Sequence, residues 1–334
     1  MMRSLYSGIS GLKNHQTRMD VIGNNIANVN TVGYKASRTV FQDIFSQTVK
    51  SGTSNLLPDR TIGGTNPTQI GLGIKLATID VLHTPAPITR TDNPFDMMIE
   101  GDGFFILMDE NENYYYTRAG NFYLDDEGYL VSSHGYFVMG YNYEYEWNPP
   151  VAGTGPGSDP FTADTPGYFE VDPDSLDTSL GKIRLRYEEL GTGGVPTMLT
   201  VGFDWSTGTA VPIEREYIDL VGFSVGQDGS VSVIMNNIKE TIAYMGVSMF
   251  SNAGGLEKAG NSLYREGPAS GMALWTNALQ DGAGRLLGGG LEMSNVDLAT
   301  EFTDMIVTQR GFQANSRVIT VSDTLLEELV NLKR

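Results

Sequence analysis

The sequence predicts an α+β chain in which amphipathic helices at the N- and C-terminal ends, pairing as a coiled-coil-like domain, bracket β-rich middle domains. Three observations lead there. Apolar residues recur every three or four positions at both ends of the 334-residue chain. Between the ends the period shortens toward two. Forty glycines and fourteen prolines call for many turns, hence many short strands.

The first helix rests on Leu5, Ile9, Leu12, Met19 and Ile26, a heptad stripe with Gln16 and Gly23 at its two vacant positions. It runs into "NNIANVNTVGYK", residues 24–35. Asn28 or Asn30 can accept a left-handed backbone and Gly33 can do so at no steric cost, so these three residues are the expected helix terminators. The last helix repeats the design. Leu298, Phe302, Met305, Phe312, Ile319, Leu326 and Val330 keep a heptad track, with Gln309, Ser316 and Asp323 as polar breaks. Ser294, three residues before Asp297, offers a capping start. Isolated helices of this kind are marginal in water, because their stability comes from packing the apolar face. Both stripes are broken by small or polar residues, which points to several neighbours for each helix and makes the chain a candidate for self-assembly.

In the middle, "DMMIEGDGFFILM" (96–108) offers two apolar strands hinged on Gly101-Asp102-Gly103. Short strands follow, separated by Ala-Gly-Asn, Asp-Glu-Gly and His-Gly turns. Tyr141, Tyr143, Tyr145 and Trp147 alternate with Asn142, Glu144 and Glu146, as a strand with one aromatic face would. The proline- and glycine-rich stretch 148–167 marks a domain edge. Residues 46–70 show no clear period. The expected organisation is a terminal helical assembly domain (1–40 with 291–334), an extended linker (41–75), an inner β domain (76–145 with 223–290) and a small outer β domain (146–222).

Charge and composition remove several function classes. The net charge is -18, and it is uneven: residues 1–50 carry +4 and residues 291–334 carry -3, which leaves -19 on the middle. Such a surface does not attract nucleic acid or anionic lipid. The absence of cysteine excludes a disulfide framework, a thiolate metal site and a cysteine nucleophile. "FFILM" (104–108), the longest apolar run, is far short of the roughly 20 residues of a membrane helix, and the N-terminus lacks the apolar core of a secretory signal. His15, His83 and His134 are dispersed without metal-ligand spacing. "DENEN" (109–113) and "DDEG" (125–128) lack the pattern of a calcium loop, and "GAGRLLGGG" (282–290) lacks the ending of a phosphate cradle. No catalytic residue, metal or cofactor is expected.

Three blocks carry a family resemblance: "SGISGLKNHQTRMDVIGNNIANVNTVGYKASRTVFQD" near the start, "NPFDMMIEGDGFFIL" with "YTRAGNFYLDDEGYLV" in the middle, and "LEMSNVDLATEFTDMIVTQRGFQANSRVITVSDTLLEELVNLKR" at the end. In this order they resemble the bacterial flagellar axial proteins, the hook protein first and the distal rod protein second. The resemblance implies a noncatalytic structural subunit. Paired terminal helices would form an inner tube around an export channel, with β domains stacked outside. Leu5, Ile9, Leu12, Met19, Ile26, Leu298, Phe302, Met305, Phe312, Ile319, Leu326 and Val330 would then be subunit-interface residues. The implied partners are many further copies in a homopolymer, rod proteins, hook–filament junction proteins, a hook cap during assembly and the flagellar export apparatus. Neither nucleic acid nor membrane insertion belongs to this picture, and export proceeds without a cleaved signal peptide. The implied function is a flexible joint that carries torque from rod to filament; the alternative is the rigid distal rod, which a longer linker at 46–70 accompanies in some bacteria.

Overall fold

The computed structural model describes residues 2–53, 64–126, 128–148, 168–176, 180–185, 201–204, 209–212, 222–235 and 238–332. Two compact units divide the chain: residues 1–84 with 294–334, and residues 85–293.

The first unit opens with α1 (Met2–Ala27), continues through β1 (Ser37–Asp43), β2 (Ser46–Lys50), β3 (Thr68–Gly71) and β4 (Ile74–Val81), and closes with the last helix, Leu298–Asn331. The described residues of 41–75, a stretch expected as an extended linker, form most of a two-stranded antiparallel arm instead. β1 pairs with β4 and β2 with β3. The ladder continues between the pairs through Ile44 N–H to Gly73 O and Leu72 N–H to Phe45 O, and reaches the Thr53–Thr65 bridge. The physical reason the sequence hid it is exposure. In β2 and β3 nearly every side chain meets solvent, so no apolar alternation is imposed. At its root the arm lies on α1, where Asn14 donates its amide to Ile74 O at 2.8 Å.

The second unit is built from β5 (Ile88–Arg90), β6 (Met97–Glu100), β7 (Phe104–Met108), β8 (Tyr114–Thr117), β9 (Phe122–Leu124), β10 (Leu130–Ser132) and β11 (Phe137–Asn148). Then come β12 (Tyr168–Leu176), β13 (Gly181–Lys182), β14 (Val201–Asp204), β15 (Thr209–Pro212), β16 (Gly222–Val225), β17 (Ser230–Met235) and β18 (Ile238–Met249). It ends with β19 (Glu257–Gly260), β20 (Leu263–Arg265), β21 (Leu274–Asn277), β22 (Arg285–Gly288) and β23 (Gly290–Glu292), after which the chain enters α2 (Leu298–Asn331) of the first unit.

A 13-stranded sheet forms the body of this unit, with β7 near its centre. "FFILM" is that central strand. Phe105 and Leu107 point into one core with Met97, Ile99, Phe122, Leu130 and Val247; Phe104, Ile106 and Met108 point into another with Tyr116, Met139 and Tyr264. Burial on both faces explains an unbroken apolar run where a half-exposed strand would alternate. The Gly101-Asp102-Gly103 hinge is present, with φ of 120° and 133° at the two glycines. The strands it joins do not form a hairpin: β6 pairs with β22, and β7 pairs with β8, β11 and β18. Glycine is required at 103, since a Cβ there would sit 2.5 Å from Val247 Cγ1. β14 and β15 form a separate two-stranded sheet in the long excursion between β11 and β16.

Candidate assembly site

The terminal helices run antiparallel, side by side, in the first unit. Gly8 faces Ile319, Gly11 faces Asn315, His15 faces Gly311 and Arg18 pairs with Asp304 at 2.9 Å. This seam combines small residues with the apolar stripes, Ile319 lying directly against Gly8. On α1 it includes Gly8, Gly11 and Asn25, all buried; on α2 it includes Glu301, Gly311, Asn315 and Ile319, with Thr308 and Ser322 buried on the same helix. Small residues let the helix backbones approach closely. A Cβ on Gly11 would come within 2.5 Å of the Asn315 amide, and one on Gly311 within 2.8 Å of the His15 ring. Thr308 and Ser322 turn their hydroxyls back onto the carbonyls of Asp304 and Val318, so neither brings an unmatched donor into the seam.

Of the sequence-predicted interface residues, Leu5, Leu12, Met19 and Ile26 on α1 and Met305, Phe312, Ile319 and Leu326 on α2 are half-buried, Ile319 against Gly8. Ile9, Leu298, Phe302 and Val330 are exposed, at 52% for Ile9, 50% for Phe302 and 67% for Val330. α2 also shows Val318, Val321, Leu325, Leu329 and Leu332 to solvent. Their spacing of three, four, four and three makes a second apolar stripe on the same helix.

Sequence reasoning missed the polar knot at the end of α1. Asn25 is 1% exposed, and both its donors and its acceptor are used. Its amide donates to Ser37 O and to Glu301 Oε1, each at 2.9 Å; its carbonyl accepts from Ser37 N–H at 3.0 Å and from the Tyr34 hydroxyl at 3.2 Å. One side chain thereby ties the end of α1, the start of β1 and the first turn of α2. The Tyr34 hydroxyl is also 2.7 Å from Asn24 Oδ1. Burial raises the Tyr34 pKa above its ordinary value, with the Glu301 carboxylate adding to the rise. Burial likewise raises Glu301, against the opposing bond from Asn25.

Of the expected terminators, Gly33 takes the left-handed backbone, φ 66°, while Asn28 and Asn30 do not. Asn28 acts through its side chain, donating to Asn24 O at 2.9 Å and accepting from Thr31 Oγ1 at 3.1 Å. The start of α2 is capped by Asp297 and not by Ser294. Asp297 accepts from Ala299 N–H at 3.0 Å and from the Thr300 hydroxyl at 2.6 Å, which holds its carboxyl below the usual range. Ser294 Oγ accepts only from Val296 N–H, upstream of the helix. Among the described residues no group of three or more His, Asp and Glu is placed to hold a metal ion, and no helix is long and apolar enough to cross a membrane.

The sequence matches known proteins over its whole length. "Flagellar basal-body rod protein FlgG" of Bacillus subtilis is 43% identical over 336 residues, covering all of both chains. The chain belongs to the flagellar hook and rod family of axial proteins. "Flagellar hook protein FlgE" of Borreliella burgdorferi is 33% identical over 445 residues, again covering all of both chains. Three family models match in chain order: "Flagella basal body rod protein" at residues 5–35, "Flagellar hook protein FlgE/F/G D1 domain" at 98–233 and "Flagellar basal body rod FlgEFG protein C-terminal" at 287–332. The first and last cover the seam helices and the polar knot; the middle one covers much of the 13-stranded sheet. Members of this family are structural components of the flagellar basal body or hook.

Proposed function

We propose that this chain is a subunit of the flagellar hook, a noncatalytic building block that polymerises into a helical tube and carries torque as a flexible joint. The observation that supports polymerisation is the outward apolar surface of the helix pair. Leu298, Phe302, Ile306, Val318, Val321, Leu325, Leu329 and Val330 stand exposed on one helix, more than a solvated helix carries without a partner. In the tube these side chains and the half-buried Leu5, Leu12, Met19, Ile26, Met305, Phe312, Ile319 and Leu326 pack coiled-coil-like against helices of neighbouring copies. Knob-into-hole contacts need large apolar residues, and the exposed face of α2 offers them.

The joint reading draws support from the excursion between β11 and β16, which carries β14 and β15 outside the main sheet. Outer parts of this kind can slide while the inner helices hold the tube. A rigid rod subunit is the second reading. It is favoured by the 43% identity to the Bacillus subtilis rod protein and by the two-stranded arm, which would brace neighbours. Partners at either end of the tube, the cap and the export apparatus follow from whichever reading stands, as does residence in the flagellum without a cleaved signal.

Electron microscopy of the purified full-length protein at high concentration tests both. Curved, polymorphic tubes support the joint. Uniformly straight tubes move the assignment to the rod, and removal of residues 46–70 should then restore curvature. A chain without residues 295–334 that still builds tubes would refute the assembly role of the helices.

A further inference from the structure

We propose that α1 couples the arm to the helix pair: His15 and Asn25, which each touch both β1 and α2, transmit a change in helix packing to the arm. The coupling belongs to a single chain, and only its use inside a tube rests on the polymer reading.

Successive residues of a helix are turned by about 100°, so residues three or four apart share a face. On α1 that spacing separates two contact faces. Gly8, Gly11, His15 and Arg18 meet α2, through Ile319, Asn315, Gly311 and Asp304. Ser7, Ser10 and Asn14, each one position earlier, meet the arm. A Cβ on Gly73 would collide with Ser10 Oγ and lie 3.5 Å from Ser7 Cα. The Asn14 amide donates to Ile74 O and to the Ser10 carbonyl of its own helix, each at 2.8 Å. Gly73 O in turn accepts from Ile44 N–H at 3.1 Å, inside the ladder of the arm. The root of the arm is thereby fastened to α1 through its backbone.

Two side chains serve both faces. The His15 ring lies edge-on to the Phe41 ring of β1, with centroids 6.5 Å apart, and 2.8 Å from the place a Cβ on Gly311 would take. Further along α1, Asn25 bonds to Ser37 at the start of β1 and to Glu301 of α2. A shift of α2 against α1 therefore displaces both side chains from β1, and a shift of the arm disturbs their contacts with α2. Two elements that bias one packed arrangement are coupled through it, and the coupling acts equally in both directions.

The test uses the purified full-length chain with pairs of spin labels on introduced cysteines, which the absence of native cysteine makes site-specific. Labels at the exposed Gln16 of α1 and Gln47 of the arm report the arm; labels at Gln16 and the exposed Ala314 of α2 report the helix pair. Gly311→Leu changes α2 where it faces His15. The ratio of displaced to seated arm should rise about fivefold or more, and His15→Ala in the same chain should return it toward wild type. In the opposite direction, Ser10→Ala with Asn14→Ala alters only the face turned to the arm. It should release the arm and also broaden the Gln16–Ala314 distances. Helix content by circular dichroism is read first, and because alanine favours the helix, the alanine pair decides where Gly311→Leu unfolds. An arm unmoved by Gly311→Leu in a chain that stays helical, or an alanine pair that leaves either distance unmoved, overturns the coupling. Neither measurement needs polymer, so that outcome leaves the polymer reading standing.

Discussion

Arg118 and Glu292 form an ion pair with N···O of 3.5 Å and almost no solvent contact, at 2% and 1% exposure. Glu292 closes β23 where the chain leaves the second unit, and its other oxygen accepts from Ala86 N–H, where the chain has just entered. Arg118 also donates to Ile99 O at 3.2 Å and lies 5.2 Å from the centre of the Phe104 ring. The pair therefore fastens both chain crossings of the unit to β6 and β7. Arg118→Met should destabilise the second unit by about 3–5 kcal/mol, because it strips a buried carboxylate of this cation. Arg118→Met with Glu292→Leu should cost less than the single change. Denaturant unfolding monitored by tryptophan fluorescence checks this, and a single variant within about 0.5 kcal/mol of wild type would contradict it.

The helix seam should loosen in mild acid. His15 has its pKa lowered from 6.5, chiefly by burial and secondly by Arg18; its Nδ1 is buried without a hydrogen-bond partner and its ring sits against Gly311 and edge-on to Phe41. The unfolded chain binds this proton more readily than the folded one. Stability from neutral His15 is thus complete above the unfolded value and declines as pH falls below about 6.5. Glu301 works in the opposite sense: its raised pKa means that protonation relieves a buried charge, so its contribution grows in acid as pH approaches and passes that value from above. His15→Gln should flatten the melting temperature of the helices between about pH 7.5 and 5.5. An unchanged slope in that variant would remove His15 as the source.

The ends of the chain were legible because apolar periodicity is a strong signal over 26 and 34 helical residues. What periodicity could not show is which face meets which. The close approach is made at Gly8, Gly11, Gly311 and Asn315, residues that an apolar count passes over, although Ile319 of the predicted track lies against Gly8. The arm was hidden for a related reason: a ribbon wet on both faces has no hydrophobic pattern to detect. Asn25 stood in the stretch that announced a helix end, yet its bond to Glu301 spans 276 positions and no local rule contains it. The Arg118–Glu292 pair was invisible for the same reason.

Asn25 itself gives a sharper expectation. Asn25→Ala leaves the Ser37 N–H and C=O, the Glu301 carboxylate and the Tyr34 hydroxyl each short of one partner, at a cost of about 3 kcal/mol. Asn25→Asp removes the two donors and sets a second carboxylate against Glu301. At neutral pH it should be the worse variant. In acid, once one carboxyl of the pair takes up a proton, the order should reverse. Circular dichroism melts at the two pH values decide, and an Asp variant that is never the less stable of the two would show that Glu301 is not its effective neighbour.

Two glycines on the paired helices should respond in opposite directions to the same substitution. Gly23 on α1 has no atom within 4 Å of the place a Cβ would take, so Gly23→Ala meets nothing and should stabilise the helix by about 1 kcal/mol through propensity. Gly311 on α2 has the His15 ring 2.8 Å from that place. Gly311→Ala gains the same propensity but must push the ring or the helix aside, an overpacking cost of about 1–3 kcal/mol. The net change at 311 should be zero to destabilising and at 23 clearly stabilising. His15→Ala in the Gly311→Ala background should then recover part of the loss, because the ring is the obstacle. If Gly311→Ala alone stabilised the chain as much as Gly23→Ala, the helices would not be held at the spacing that His15 and Gly311 define.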